Sequence, residues 1–298
     1  YYVPAAAATA RTGGKPSGTP ASPSPPSATT ADGNRTVPED SRFVKDPDGG
    51  YIWCERPDLP PSVRQALREL LRKQDSVFAR SLKDVGCYKG ELGSVRIPLS
   101  HDRPIFEGPR RYSPAELEVI EAKCAELRDA GIIKPSTSTK YAMNATLPAK
   151  KAADGSWTDR RYCVDARRLN AATIPDKFRP PIPEELFDRI GNRRWLTKAD
   201  CRAAFNQLPL APEDMEKTSF WWKNSLWCYQ RLMYGARNAT AEYQRVLSHH
   251  ILKAGLQDFC YVFVDDCLIA SATPEEHVEH LRRFLAMMAD IGIKLHPE

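Results

Sequence analysis

Apolar residues recur every three or four positions in three stretches of the chain, a spacing that places them on one face of an α-helix. The clearest stretch follows Ser113 and Pro114, which are residue types typical of a helix start, and it ends at Gly131. A second stretch follows Thr273 in the same way. The predicted apolar stripes are Leu117, Ile120, Cys124 and Leu127 in the first, and Val278, Leu281, Leu285 and Met288 in the second.

The third helical stretch lies near residue 62, where Ser62 and Gln65 have the spacing of a capping box. Between the helices the pattern changes to short β-prone runs separated by turn residues. We predict strands at 95–99, 147–149, 162–164, 194–199, 218–222 and 226–232. Helices mixed with hairpins, without regular βαβ repeats, predict the α+β class.

The sharpest local pattern is a pair of apolar runs on either side of Asp265 and Asp266. It predicts a hairpin whose two-residue turn is made by these two aspartates. Taken alone, the pair also fits an ordinary solvated turn, because Asp tolerates turn geometry. Asp200, at the end of another predicted strand, would add a third carboxylate if that strand lies beside the hairpin. Three converging carboxylates form the hard oxygen site that Mg²⁺ requires.

The first 32 residues differ from the rest, since 26 of them are Ala, Pro, Ser, Thr or Gly. Such a segment buries too little apolar surface to offset the entropy of ordering it, so we predict a disordered linker over residues 1–50. The longest apolar runs, such as 260–264, are far shorter than the ~20 residues of a membrane helix. We therefore expect no membrane association.

The formal net charge of +5 conceals an uneven distribution. Residues 134–179 contain ten basic and four acidic side chains, whereas the remainder is nearly neutral. Basic residues interleaved with aromatic ones suit binding to a nucleic acid, although a solvated charged face is the alternative. No two of the eight cysteines form a C-x-x-C pair, so we expect buried free thiols rather than a zinc site. The six histidines include 249, 250, 277 and 280, which we expect to be solvated helix positions.

A series of motifs in the second half of the chain resembles the reverse transcriptase of gypsy-type LTR retrotransposons, a relative of retroviral polymerases. The motifs are Lys151, Asp154-Gly155-Ser156-Trp157, Val164-Asp165, Arg168-Leu169-Asn170, Asp200, Ala211-Pro212-Glu213-Asp214, Lys217-Thr218-Ser219-Phe220, Tyr234-Gly235, Asn238-Ala239, Tyr243-Gln244, Val264-Asp265-Asp266 and Pro274-Glu275-Glu276-His277. The resemblance covers residues 60–298 and is strongest from 104 onward.

The resemblance implies a right-hand polymerase with fingers and palm, the palm being an antiparallel ferredoxin-like sheet backed by helices. It divides the chain into the linker 1–50, a lead-in helix and strand over 51–103, and the polymerase domain 104–298. The thumb, RNase H and integrase are expected outside this chain. The implied activity is RNA-directed DNA polymerase, with two Mg²⁺ ions, or Mn²⁺ in their place.

By matching position, the resemblance assigns the catalytic carboxylates to Asp200, Asp265 and Asp266. It assigns metal binding to these three together with the main-chain carbonyl of Cys201. The nucleotide-binding set is Lys150, Lys151, Arg161, Phe205 and Tyr234, with Phe205 as the gate that rejects a ribose 2′-hydroxyl. The implied partners are dNTPs and an RNA or DNA template with its primer.

The alternative function is a degenerate retroelement fragment that binds nucleic acid without catalysis. Both hypotheses use the basic residues to bind nucleic acid. They differ in whether the carboxylates catalyse a reaction. For either, we expect an intracellular protein, with the choice between cytoplasm and nucleus left open.

Overall fold

A computed structural model of the chain describes residues 59–149, 161–178 and 181–297, together with the backbone of two short strands nearer the N-terminus. Its helices are α1 Pro61–Lys73, α2 Pro114–Asp129, α3 Arg167–Ala172, α4 Pro183–Ile190, α5 Pro212–Met215, α6 Ala239–Lys253 and α7 Pro274–Ile291. Its strands are β1 Arg42–Lys45, β2 Ile52–Glu55, β3 Ile105–Phe106, β4 Ile133–Pro135, β5 Tyr141–Ala142, β6 Ala145–Thr146, β7 Cys163–Val164, β8 Trp195–Asp200, β9 Phe220–Trp222, β10 Ser225–Tyr229, β11 Cys260–Phe263 and β12 Asp266–Ser271.

Helices α2 and α7 begin as the sequence predicts, each with a complete capping box. Ser113 and Thr273 accept hydrogen bonds from the backbone N–H groups of Glu116 and Glu276, whose carboxylates bond back to the cap. The capping box predicted at Ser62 is wrong. Helix α1 begins at Pro61, two residues before the start that a cap at Ser62 implies, and has no side-chain cap, because prolines already fix the backbone of its first turn.

The strands β4, β10 and β9 form an antiparallel sheet in that order. Helix α2 packs near it through buried residues of the predicted stripe, including Ile120 and Cys124. Leu117, the first residue of that stripe, is 50% exposed and lies outside the core. It lines a surface cavity together with Trp221 and Trp222 of β9.

The strands β11, β12 and β8 form a second antiparallel sheet, which we call the carboxylate sheet because it carries the predicted aspartates. Helices α6 and α7 contact this sheet and supply a large part of the core, including Tyr243 and Phe284. Its order along the chain is β8–α6–β11–β12–α7, which is the first five elements of the ferredoxin-like motif. Leu295 then forms an antiparallel bridge with Cys201 beside β8, at the place of the sixth element.

Several predicted strands differ from the structure. Residues 95–99 make only isolated bridges, Val95 with Leu210 and Leu99 with Thr173, although Val95 is buried as the alternation indicates. Residues 147–149 are not a strand, and the neighbouring strand is β6. Short runs of this kind are stabilised by single tertiary partners, which local sequence does not specify.

The predicted linker, residues 1–50, lies outside the described residues apart from the backbone of β1, which pairs with β2. The boundaries of the predicted domains therefore remain predictions. Among the described helices, none combines the length and apolar character that crossing a membrane requires.

The described cysteines are all free thiols, and most of them are buried as predicted. The buried ones are Cys124, Cys201, Cys228, Cys260 and Cys267. The prediction of solvated histidines is wrong at positions 250 and 277, because both side chains are buried and hydrogen-bonded. Helical spacing does not distinguish a buried histidine with polar partners from an exposed one.

Candidate active site

The pairing of β8 with β12 brings two of the predicted carboxylates together. Asp200, the last residue of β8, lies directly opposite Asp266, the first residue of β12. Cys267, the next residue along β12, pairs with Ala199 and points to the buried side of the sheet. The assumption that Asp200 lies beside the hairpin is therefore confirmed.

The hairpin turn lies one residue earlier than the sequence predicts. Phe263 pairs with Asp266, so the two turn residues are Val264 and Asp265 rather than the two aspartates. Val264 has φ +61°, a conformation that is strained for a β-branched side chain. The prediction followed the turn preference of Asp, but the register is set by the apolar residues that alternate between the two faces.

The side chain of Gln244, on α6, forms a hydrogen bond with this turn. Its side chain is 1% exposed, and its Oε1 accepts a hydrogen bond of 2.7 Å from the backbone N–H of Val264. Its Nε2 donates to Ser248 Oγ at 3.1 Å and to the carbonyl oxygen of Val262 at 3.3 Å. The sequence motif includes Gln244, but its hydrogen-bonding role was not predicted, because the contact depends on how α6 lies on the sheet.

The carboxylates affect one another electrostatically. Desolvation, followed by the charges of Asp265 and Asp266, raises the pKa of Asp200. Lys198 stands two residues before Asp200 on β8, and its Nζ is 3.1 Å from Asp266 Oδ1. Sequence reasoning missed Lys198, although its i, i+2 spacing from Asp200 places both side chains on one face of the strand.

Three aromatic rings lie together near the carboxylates. The ring of Phe205 packs edge to face against Tyr234, with 5.1 Å between centroids, and against the buried Tyr243 at 6.0 Å. Desolvation, with smaller contributions from Asp265 and Asp200, raises the pKa of the Tyr234 phenol to about 12, although the residue is 44% exposed. The structure thus brings Phe205 and Tyr234 together beside the aspartates, as the resemblance implies.

The remaining predicted residues are less closely connected. Arg161 is exposed just before β7, and its backbone N–H donates to the carbonyl oxygen of Pro148 at 3.0 Å. The contacts of the described residues do not join its guanidinium to the carboxylates. Lys150 and Lys151 lie outside the described residues. Cys201 has a buried side chain and forms a backbone bridge with Leu295.

The chemistry of the donor set fits a divalent cation. Carboxylate oxygens are hard ligands. The pKa of Asp200 is raised first by desolvation and then by the charges of Asp265 and Asp266, which a bound cation would neutralise. Within the part of the chain that the structure describes, no three His, Cys, Asp or Glu side chains are already arranged around a single ion position. Asp266 is instead paired with Lys198.

Comparison with known proteins supports the family resemblance found in the sequence. The family described as "Reverse transcriptase (RNA-dependent DNA polymerase)" matches residues 149–298. The Pol polyprotein of transposon 297 from Drosophila melanogaster is 31% identical over 198 residues, which are 66% of this chain and 18% of that protein. The Pol polyprotein of transposon gypsy, from the same organism, is 26% identical over 80% of this chain and 23% of its own length.

Another relative is the enzymatic polyprotein of cauliflower mosaic virus strain D/H, 28% identical over 63% of this chain and 27% of the viral protein. The chain thus spans about a fifth to a quarter of the curated relatives it matches.

Solved structures of a foamy virus protein have the same fold. The foamy viral protease-reverse transcriptase in complex with an RNA/DNA hybrid has a TM-score of 0.69 and 17% identity, covering 80% of this chain and 31% of the viral one. The native prototype foamy virus protease-reverse transcriptase gives a TM-score of 0.65 at 23% identity, with 81% and 31% coverage. The predicted fold class, with an antiparallel sheet backed by helices, is therefore confirmed.

Proposed function

Since the chain belongs to the reverse transcriptase family, we propose that it is the fingers and palm of a retrotransposon RNA-directed DNA polymerase. In the proposed reaction the primer 3′-hydroxyl attacks the α-phosphorus of a dNTP, and pyrophosphate leaves as the new phosphodiester bond forms. The observation that supports this best is the pairing of Asp200 with Asp266 beside the strained turn that carries Asp265.

Asp200 and Asp265 would hold two Mg²⁺ ions, together with the main-chain carbonyl of Cys201. When bound, such ions lower the pKa of the attacking hydroxyl and stabilise charge on the leaving phosphate. The chain's own contribution is position: the carboxylate sheet fixes Asp200, and Gln244 fixes the turn next to Asp265. Phosphoryl transfer depends mainly on such positioning and charge stabilisation.

The nucleotide would be bound from two sides. We propose that Arg161 and either Lys150 or Lys151 contact the triphosphate, because these basic side chains belong to the positively charged stretch 134–179. Phe205 would lie under the sugar and exclude a 2′-hydroxyl, supported in its position by Tyr234 and Tyr243. In this proposal 104–298 is the polymerase domain and 51–103 its lead-in segment.

The proposed partners follow from the reaction. They are dNTPs and an RNA or DNA template with its primer, and a thumb, RNase H and integrase from the same polyprotein. One structural relative carries an RNA/DNA hybrid, and the curated relatives are much longer than this chain. An intracellular site, cytoplasmic or nuclear, would supply the template and the nucleotides.

Primer extension on an RNA template tests the proposal, with Mg²⁺ present or replaced by EDTA. We expect that the chain, supplied with a thumb, extends the primer, that extension requires Mg²⁺, and that it falls at least ~100-fold in Asp265→Asn. Asp188→Asn is the matched control, an exposed aspartate on α4 whose loss should leave extension unchanged. Equal extension by wild type and Asp265→Asn would contradict the mechanism.

A salt series of primer-template binding separates the alternative function. A fragment that only binds would show affinity falling steeply with salt and no extension at any Mg²⁺ concentration. That combination would overturn the proposed polymerase activity in favour of the non-catalytic retroelement fragment.

A further inference from the structure

In the part of the chain that the structure describes, Lys198 is the cationic side chain that contacts one of the three predicted carboxylates, Asp266. It lies on β8 opposite Leu268, so Asp266 is its diagonal neighbour on the adjacent strand. Diagonal neighbours in an antiparallel pair are close enough for a long side chain to span. The ammonium group therefore reaches Asp266 without any departure from regular strand geometry.

The ion pair affects the three carboxylates unequally. The Nζ of Lys198 is 3.1 Å from Asp266 Oδ1. The hydrogen bond to Asp266 is the main reason that the pKa of Lys198 is raised. Asp200 and Asp265 contribute only weaker, longer-range charge effects. One carboxylate is thus paired with a cation supplied by the protein, whereas the other two have no such direct contact with Lys198.

We propose that Lys198 is a positioning residue of the reaction, whose ammonium holds Asp266 and leaves Asp200 and Asp265 as the side chains that bind the metal ions. This inference rests on the proposed function. The pair reduces the charge of the three-aspartate cluster by one, which weakens its hold on cations and also its repulsion of an incoming triphosphate. Lys198 therefore acts on the site mainly through its contact with Asp266, and its charge alone has a smaller effect on Asp200 and Asp265.

Two consequences follow for a variant without the ammonium. In Lys198→Met, Asp266 is released and the cluster gains one net negative charge, so a divalent ion should bind more tightly. Repulsion of the nucleotide should increase at the same time. Lys198→Arg keeps a cation on the same strand face and should resemble the wild type.

Mn²⁺ binding to the full 298-residue chain, measured by the EPR signal of the free ion without nucleic acid, tests the first consequence. We expect the Kd for Mn²⁺ to fall about three- to tenfold in Lys198→Met and to change less than about twofold in Lys198→Arg. Lys123→Met is the control, because it removes one charge from an exposed ion pair, with Glu126 on α2. It should leave the Kd unchanged.

A double-mutant cycle with Asp266→Asn shows whether Lys198 acts through Asp266. If it does, Lys198→Met should tighten Mn²⁺ binding clearly less in the Asp266→Asn background than in the wild type, because loss of the ammonium then releases no carboxylate and removes only a more distant charge. An equally large tightening in that background would mean a general charge effect and would overturn the inference, as would wild-type affinity in Lys198→Met alone.

The same titration keeps the two proposals separate. If the chain shows no Mn²⁺ binding that is lost in Asp200→Asn, the metal site of the proposed function is contradicted, whatever the effect of Lys198→Met. Binding that is lost in Asp200→Asn but insensitive to Lys198→Met would contradict only the role of Lys198. A rise in the dNTP KM of Lys198→Met, reversed in Lys198→Arg, would support the second consequence.

Discussion

The backbone N–H of Val264 donates a hydrogen bond to Gln244 Oε1 across 2.7 Å, linking helix α6 to the hairpin turn of the carboxylate sheet. Val264 has φ +61°, and its neighbour Asp265 is one of the predicted catalytic residues. Strain at such a position amounts to ~1–3 kcal/mol and persists only where the surroundings oppose its release. The position of Asp265 therefore depends on a side chain that cannot itself perform the chemistry.

Replacing Gln244 with Met tests this dependence, because Met fills a similar volume and cannot hydrogen-bond the turn. We expect kcat for primer extension to fall ~10- to 100-fold as Asp265 loses its fixed position. The free energy of unfolding in urea should fall by only ~1–2 kcal/mol. Gln65→Met, at an exposed position of α1, should change neither quantity. Full activity in Gln244→Met would show that the turn holds itself.

Asp200→Asn should make the protein more stable while abolishing activity. The folded-state pKa of Asp200 is raised above its ordinary value of 3.8 by desolvation and by Asp265 and Asp266. Stability is therefore lost as pH rises through that raised pKa, and the amide escapes this loss. At pH 7 we expect the Tm to rise by about 1–3 °C, a modest gain because the side chain is exposed.

The gain in Asp200→Asn should disappear at a pH below 3.8, where the wild-type carboxyl is protonated in both states. Addition of Mg²⁺ should raise the Tm of the wild type more than that of the variant. A lower Tm in Asp200→Asn at pH 7 would mean that Asp200 makes a stabilising contact that outweighs the repulsion.

His277 should make folding sensitive to mild acid. Its Nε2 and Nδ1 lie 2.7 Å from Thr197 Oγ1 and 2.8 Å from Ser271 Oγ, and burial lowers its pKa from 6.5 to about 4. Between pH 6.5 and about pH 4 this imidazole binds a proton in the unfolded chain but not in the folded chain. The free energy of unfolding therefore decreases as the pH falls. Through this residue, lowering the pH from 7 to 5 should decrease the free energy of unfolding by about 2 kcal/mol.

The measurement compares urea unfolding of wild type and His277→Gln at both pH values. The variant should lose less stability than the wild type on going to pH 5, although it starts lower at pH 7. His101→Gln, an exposed position, should follow the wild type. An equal pH dependence in His277→Gln would assign the acid sensitivity to other groups.

Phe205→Val should admit ribonucleotides. Removal of the ring opens the space beside Tyr234 where the 2′-hydroxyl would otherwise clash, and we expect rNTP incorporation to rise ~10- to 100-fold relative to dNTP. Competitive single-nucleotide extension measures the ratio. Phe106→Val, at an exposed aromatic that also packs edge to face on a tryptophan, is the control. An unchanged ratio in Phe205→Val would remove the gate assignment.

The features that could be predicted from the sequence are those fixed by local chemistry. Two of the three helix starts follow from their caps, and the carboxylates follow from two aspartates between apolar runs and one at a strand end. The turn was misplaced by one residue, because turn preference favoured Asp whereas strand register admitted a strained Val264. Gln244 and Lys198 were missed because their contacts depend on the packing of α6 and the alignment of β8 with β12.

The alternation of side chains in β12 places Asp266 toward solvent and Cys267 in the core, and Cys201 is likewise buried after Asp200. These thiols are 0% and 3% exposed, so an alkylating reagent reaches them only when this part of the protein opens. Their alkylation rate therefore reports how often the structure beneath the carboxylates comes apart. The same protein thus carries its own chemical probe of the integrity of its candidate active site.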